Sequence, residues 1–361
     1  MVTALVFLAI LLSAVLVHEL AHYFNARQVG VRVRSFSVGF GPILFKRQAY
    51  GTEWRFSLLP LGGYVDVEGL APEVDDSGEL KPARDGLAAK GWPAKVWVLI
   101  GGVIANLILG VFLMAGAVTL EPLYRSFVNP GANVVQGTNI VGVEPGSVAA
   151  EVGLQPGMAL VGINGVDDPN PNEVVEAIQG TVGELELRVV QDGEQRTVVV
   201  AWPPEDLAEN ERPLLGVQLE PREVASVGYA QAVWESSVFV VRSVPEMVRS
   251  FASGFGAAIT GRQSEDVAGP VGIVSMVNQA TQVGIAPVLF LAAVINFSLA
   301  IFNLLPIPGL DGGRILVASI AAMRGRPFAP KQEAMVHFIG VMTVLALIVL
   351  ITVQEIAAML V

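Results

Sequence analysis

The sequence predicts a membrane α-helical protein with about four transmembrane helices and one extracytoplasmic α+β domain. Three observations predict it. Hydrophobic residues make up 53% of the chain and charged residues 15%, against about 25% charged in an average soluble domain; the mean hydropathy is +0.59. Four apolar stretches approach the roughly 20 residues that cross a bilayer core. The remaining charges segregate by sign along the chain.

Taken in order, the first span covers 1–24 and is apolar up to His18. It lacks the basic leader of a secretory signal and carries ionisable residues where a cleavage site would lie, so it reads as retained. Residues 25–95 form a cytoplasmic-side, membrane-associated loop; between 25 and 52 it holds Arg27, Arg32, Arg34, Lys46 and Arg47 and no acidic residue. The second span, 96–120, is uncharged. Residues 121–222 read as a soluble α+β domain, with strand-like segments at 134–143 and 185–200 and helix patterns at 146–154 and 171–178. The stretch 121–223 carries 5 basic and 17 acidic residues. By the positive-inside rule it lies opposite the basic loops. Residues 223–284 read as an amphipathic linker, with Trp234, Val238, Val241 and Val244 on one helix face. The third span covers 285–310, inside a charge-free run from 267 to 310. A cytoplasmic loop at 311–333 and a fourth span at 334–355 complete the chain; the loop charges then put both termini outside, and the even span count agrees.

Composition excludes several classes. A net charge of −11 argues against a nucleic-acid partner. With no cysteine, disulfides, cysteine-ligated zinc, iron–sulfur clusters and thiol nucleophiles are all ruled out.

His18-Glu19-Leu20-Ala21-His22 matches H-E-x-x-H. On a helix, positions i and i+4 share a face, so both imidazoles can address one metal ion. Glu19 beside them is placed to act as a general base. Three ionisable groups at the end of an apolar span are costly unless functional or paired; the plainer alternative is polar residues snorkelling at a helix end. Catalytic zinc takes three protein ligands. Counted from Met1, His18 lies roughly 26 Å along the helix, and Asn303 lies at a similar depth counted from Ile285. Just beyond, Asn303-Leu304-Leu305-Pro306-Ile307-Pro308-Gly309-Leu310-Asp311-Gly312-Gly313 breaks the helix. Asp311 is the only acidic residue between Asp266 and Glu333. It is the expected third ligand; the alternative is an N-cap for the helix that follows. His337 is the rival ligand. Asn303 suits either an oxyanion donor or a helix–helix hydrogen bond. Asn106 carries the same ambiguity, with the helix–helix bond favoured. Two imidazoles and a carboxylate suit Zn2+ best and would accept iron(II).

These residues resemble the site-2 protease family of intramembrane zinc metalloproteases, closest to the bacterial branch with a PDZ domain that includes regulators of sigma factors. H-E-x-x-H and N-x-x-P-x-P-x-L-D-G are that family's diagnostic motifs, and the resemblance covers the whole chain. It implies that His18, His22 and Asp311 ligate zinc, Glu19 is the catalytic base and Asn303 orients substrate. Gly39-Phe40-Gly41-Pro42 and the run 55–65 look like the family's re-entrant β-hairpin region. By resemblance Phe56, Ser57, Leu58, Leu59, Gly62 and Gly63 receive the substrate as an extended segment. Leu154-Gln155-Pro156-Gly157-Met158-Ala159-Leu160-Val161-Gly162-Ile163-Asn164-Gly165 resembles a PDZ signature, with Met158 where Asp is usual. Gly102-Val103-Ile104-Ala105-Asn106 lacks the family's usual proline, and Gly269-Pro270-Val271-Gly272-Ile273 fits the family without an assigned role. The implied activity is regulated proteolysis in the cell (inner or plasma) membrane. Its expected partners are membrane lipid and a single-pass substrate already shortened by a site-1 protease. A non-enzymatic PDZ adaptor and a transporter are the competing readings. The adaptor has no need of Glu19, and the chain shows no repeated spans.

Overall fold

The computed structural model describes residues 2–74, 79–130, 135–191, 193–204, 214–224, 226–260 and 268–359. Residue 134 of the expected strand 134–143, residue 192 of the expected strand 185–200, and residues 225 and 261–267 of the expected linker lie outside these. The chain forms two compact units, one of Met1–Ala117 with Tyr229–Val361 and one of Val118–Gly228.

The first unit opens with α1 (Val2–Gln28), apolar and free of glycine and proline. It stops in a Schellman motif: Gly30 takes φ +70°, and the Val31 amide donates to the Ala26 carbonyl at 2.9 Å. Strands β1 (Val33–Ala49) and β2 (Thr52–Val67) follow as an antiparallel hairpin. Its two-residue turn, Tyr50-Gly51, has φ of 53° and 76°, the positive pair that tight hairpins favour. Both strands then bend, β1 at Gly39 and Gly41 and β2 at Gly62, all with positive φ. The bend lets β1 meet β2 twice: Phe36 lies opposite both Trp54 and Val65, and Trp54 lies opposite both Phe36 and Arg47. The hairpin is therefore a four-segment layer in the order 45–49, 52–57, 33–38, 63–67. Its base is packed by Tyr23, Val33, Phe36, Val67, Leu87 and Val98.

Short β3 (Glu73–Val74) and β4 (Leu80–Lys81) lead into α2 (Trp92–Leu120). The second unit holds α3 (Tyr124–Val128), β5 (Val135–Val143), α4 (Val148–Glu151), β6 (Ala159–Ile163), β7 (Val166–Asp167), α5 (Pro171–Gly180), β8 (Gly183–Gln191), β9 (Glu194–Trp202) and β10 (Val217–Val224). Its sheet runs β10-β5-β6-β8-β9, with β7 on β6. Asn170 and Glu173 close a reciprocal cap at the start of α5, a device worth about 1 kcal/mol. Ile140, Leu160, Ile163, Val174, Leu187 and Trp202 form a core belonging to this unit alone.

The chain returns to the first unit through α6 (Tyr229–Ile259), α7 (Pro270–Val283), α8 (Ile285–Leu304), α9 (Asp311–Arg324) and α10 (Pro330–Met359). Two stretches placed between the expected spans carry helices. The linker 223–284 contains two helices, and Trp234 and Val241 on α6 stay exposed while Ala232, Ser236 and Val240 are buried. The stretch 311–333, read as a loop, carries α9, ended by Gly325 in the left-handed region. The helix expected to follow Asp311 starts at Asp311 itself. Among the described residues, four helices are long and apolar enough to cross a membrane: Val2–Gln28, Trp92–Leu120, Ile285–Leu304 and Pro330–Ala358.

Candidate metal centre

α1 supplies the first two donors. His18 and His22 are one turn apart and buried, with ring centroids 4.7 Å apart and planes at 81°. The third comes from the first residue of α9. Asp311 Oδ2 lies 3.0 Å from His18 Nε2 and 3.3 Å from His22 Nε2. The ligand atoms of His18, His22 and Asp311 all fall within 4.8 Å of one another.

Asp311 reaches this point because α8 stops at Leu304. Pro306 and Pro308 have no amide hydrogen to continue a helix. α9 then starts tight against the break: a Cβ on Gly312 would stand 2.2 Å from the Leu304 carbonyl oxygen, and one on Gly313 would stand 2.1 Å from that of Ile307. Only glycine fits at either place. Leu310, not Asp311, holds the N-cap position, and its side chain makes no capping bond. The N-cap alternative for Asp311 is thereby corrected: it sits inside the first turn, with its carboxylate turned to the imidazoles.

The break is covered by α10. The Gly309 amide donates to His337 Nδ1 at 3.1 Å, and a Cβ on Gly340 would stand 1.8 Å from the Pro308 oxygen. His337, the rival ligand of the sequence reading, is thus engaged with the backbone of the loop.

α2 packs on the other side. The Asn25 side-chain Nδ2 donates to the Trp97 carbonyl at 2.7 Å. His22 Nδ1–H donates to the Val98 carbonyl at 2.8 Å, which frees Nε2 to face Asp311. A Cβ on Gly102 would stand 2.5 Å from Cε1 of His18, so the ring lies against bare backbone. Small residues at such crossings are what membrane helices use for close approach. Sequence reasoning quoted Gly102, Gly312 and Gly313 within their motifs without giving them a role, and passed over Gly340; what each makes room for depends on a neighbour distant in sequence.

Glu19 is half-buried on α1, in electrostatic reach of His18, His22, Asp311 and Arg314. Asn303 is half-buried in the last turn of α8. Ser57, Leu58 and Leu59 lie on β2 ahead of its bend at Gly62, and Phe56, Leu58 and Leu59 are exposed. Gly63 is different: a Cβ there would meet the Ser37 oxygen at 2.6 Å and Val15 Cγ1 at 3.6 Å. Val15 precedes His18 by one turn, so the second half of β2 lies beside the donors on α1. A cleft of about 710 Å³ opens along Arg34, Ser35, Arg55, Tyr64, Asp66 and Arg314.

The donor set itself tests what it can hold. Two imidazoles presenting Nε2 and one carboxylate oxygen, converging at the end of an apolar helix, fit zinc with a position left for water.

The profile of Peptidase family M50 matches residues 6–347. An inferred zinc metalloprotease of Rhizobium meliloti is 32% identical over 95% of this chain and 93% of its own length. The zinc metalloprotease RasP of Shouchella clausii is 26% identical over 98% of this chain and 99% of its own, and RasP of Geobacillus kaustophilus is 25% identical over 97% and 96%. The profile match spans His18, His22 and Asp311 together, and the chain belongs to Peptidase family M50, the site-2 protease family of membrane zinc metalloproteases.

Proposed function

We propose that this enzyme hydrolyses peptide bonds in or beside the transmembrane segment of single-pass membrane proteins, using His18, His22 and Asp311 to hold zinc. The convergence of those three side chains at the end of α1 carries the reading. When bound, zinc supplies Lewis-acid activation of water and of the scissile carbonyl. The rest falls to side chains. Glu19 accepts a proton from the attacking water and returns it to the departing amine nitrogen. Asn303, a neutral donor, holds the substrate carbonyl as negative charge develops on its oxygen. Water reaches the buried site from the cytoplasmic side, as the depth of the donors along α1 requires.

A helical peptide bond is shielded by its own hydrogen bonds, so the substrate must unwind first. The bent β2 strand, running from Phe56, Ser57, Leu58 and Leu59 to Gly62 and Gly63, receives the unwound segment and directs it toward α1. In this reading the hairpin enters the membrane, which accounts for the exposed Phe40, Ile43, Phe56, Leu58 and Leu59. The second unit is a PDZ-like domain on the extracytoplasmic side. It acts as a size filter, so that substrates arrive already shortened by another protease. Anti-sigma factors and signal-peptide remnants have the required single-span form.

The test is cleavage of a shortened single-pass substrate in liposomes by wild type and by Glu19→Gln. Wild type is expected to cut within the span. The variant should lose about 10²–10⁴-fold in rate while keeping its zinc. Equal cleavage by both would remove Glu19 from the mechanism. A zinc-loaded wild type that cuts none of several shortened substrates would overturn the proposed substrate class.

A further inference from the structure

We propose that Asn106 is a positioning residue for His18, its side-chain oxygen accepting the hydrogen on Nδ1 of the imidazole. The inference rests on His18, His22 and Asp311 being the zinc ligands.

An imidazole that offers Nε2 to a metal carries its hydrogen on Nδ1, and the partner of that hydrogen fixes tautomer and ring orientation. His22 has its partner in the Val98 carbonyl. His18 is as buried as His22 and needs one too. The side chain beside its Nδ1 is Asn106, whose Nδ2 lies 3.4 Å away. Asn106 is 0% exposed, so it has no access to a substrate. Its Oδ1 has no hydrogen-bond partner among the described residues, so no bond at that oxygen holds the amide in this orientation. A half-turn of the carboxamide exchanges nitrogen for oxygen at nearly the same place. It then presents the acceptor that a zinc-ligating His18 requires.

The surroundings are shaped for this. Gly102 and Asn106 are one turn apart on α2 and share a face. Gly102 leaves space for the ring, since a Cβ there would stand 2.6 Å from both Nδ1 and Nε2 of His18. One turn on, Asn106 reaches the ring's outer nitrogen. The same helix carries Val98, which serves His22. α2 therefore supplies the outer partner of both histidines.

The experiment measures zinc affinity of the full-length protein in detergent, by competition with a chelator. Wild type is compared with Asn106→Leu, which removes the acceptor at similar size, Asn106→Ala, which removes it without overpacking, and Asn106→Asp, which keeps an oxygen. The two apolar variants are expected to bind zinc about 10–100-fold more weakly, with Asn106→Asp restored to wild-type affinity. The visible spectrum of the cobalt(II)-loaded protein should change in the apolar variants and return in Asn106→Asp. Wild-type affinity and spectrum in either apolar variant would overturn the proposal. Equal weakening in all three would also do so, because the effect would then be packing and not the acceptor. His18→Ala separates the two readings. If it keeps zinc at wild-type affinity, the ligand assignment fails. If it loses zinc while Asn106→Leu does not, only the role of Asn106 fails.

Discussion

Gly102 carries no reactive group, yet its missing side chain decides where the His18 ring can lie. An added methyl would stand 2.5 Å from Cε1 and 2.6 Å from Nδ1 and Nε2, closer than van der Waals contact allows. Gly102→Ala should therefore push the imidazole away from Asp311, and zinc affinity should fall at least about tenfold. Overpacking a closely packed site costs about 1–3 kcal/mol, more than the roughly 1 kcal/mol by which alanine is the better helix former, so the metal-free protein should also melt lower than wild type. Chelator competition and a melting curve on the same preparation check both halves. Unchanged zinc binding together with an unchanged metal-free Tm would contradict the account. At this scale the sequence was informative about donors and silent about their supports. His18, His22 and Asp311 stand out because ionisable groups are rare in apolar segments. A glycine in such a segment is ordinary, and only the packed neighbour shows what it makes room for.

Helices α7 and α10 show how one element fixes another. Glu355, near the end of α10, accepts from three backbone amides at the start of α7: Gly269 at 2.7 Å, Val271 at 3.1 Å and Gly272 at 3.1 Å. The first turn of a helix has no internal acceptors for its amides, and a carboxylate there also complements the helix dipole. A Cβ on Gly269 or on Gly272 would stand 2.6 Å from a Glu355 oxygen. This gives the Gly269-Pro270-Val271-Gly272 run a physical role that its spacing alone did not disclose. Glu355→Ala strands those donors at a partly buried site and should cost about 1–3 kcal/mol. The effect is read as a lower Tm in detergent with zinc affinity unchanged, and Glu355→Gln should lose less because one oxygen remains. Further along, α10 meets the Pro306–Pro308 break through His337 and Gly340. His337→Leu leaves the Gly309 amide without its acceptor, two residues from Asp311, and should lower both Tm and zinc affinity. Loss of stability without any change in zinc binding would show that the loop keeps its geometry unaided. The prolines made the end of α8 readable from sequence. The cover provided by α10 depends on two helices meeting in space, and no local pattern records that.

Across the whole molecule, segregation of apolar and charged residues was the strongest sequence signal. Hydropathy alone marks the four long apolar helices, and the acidic stretch 121–223 falls entirely within the unit Val118–Gly228. The two strands at 33–67 were harder to read, because a strand that bends at Gly39, Gly41 and Gly62 and pairs on both edges has no single alternation of polarity. The second unit has its own core, and the chain leaves and rejoins the first unit at nearby points: the Tyr229 hydroxyl donates to the Phe112 carbonyl at 3.2 Å. A short polar linker in place of Val118–Gly228 should therefore leave the first unit folded and zinc-loaded. If the second unit is a size filter, the excised enzyme should cut a shortened single-pass substrate at the wild-type rate. It should also cut the same substrate with its bulky extracytoplasmic domain attached, which wild type refuses. The comparison is made in liposomes, with both substrates present so that they compete for one preparation. Continued refusal of the bulky substrate, with zinc content and cleavage of the short one intact, would place size selection in the membrane unit. Loss of both cleavages with zinc retained would instead assign the second unit a part in presenting the substrate.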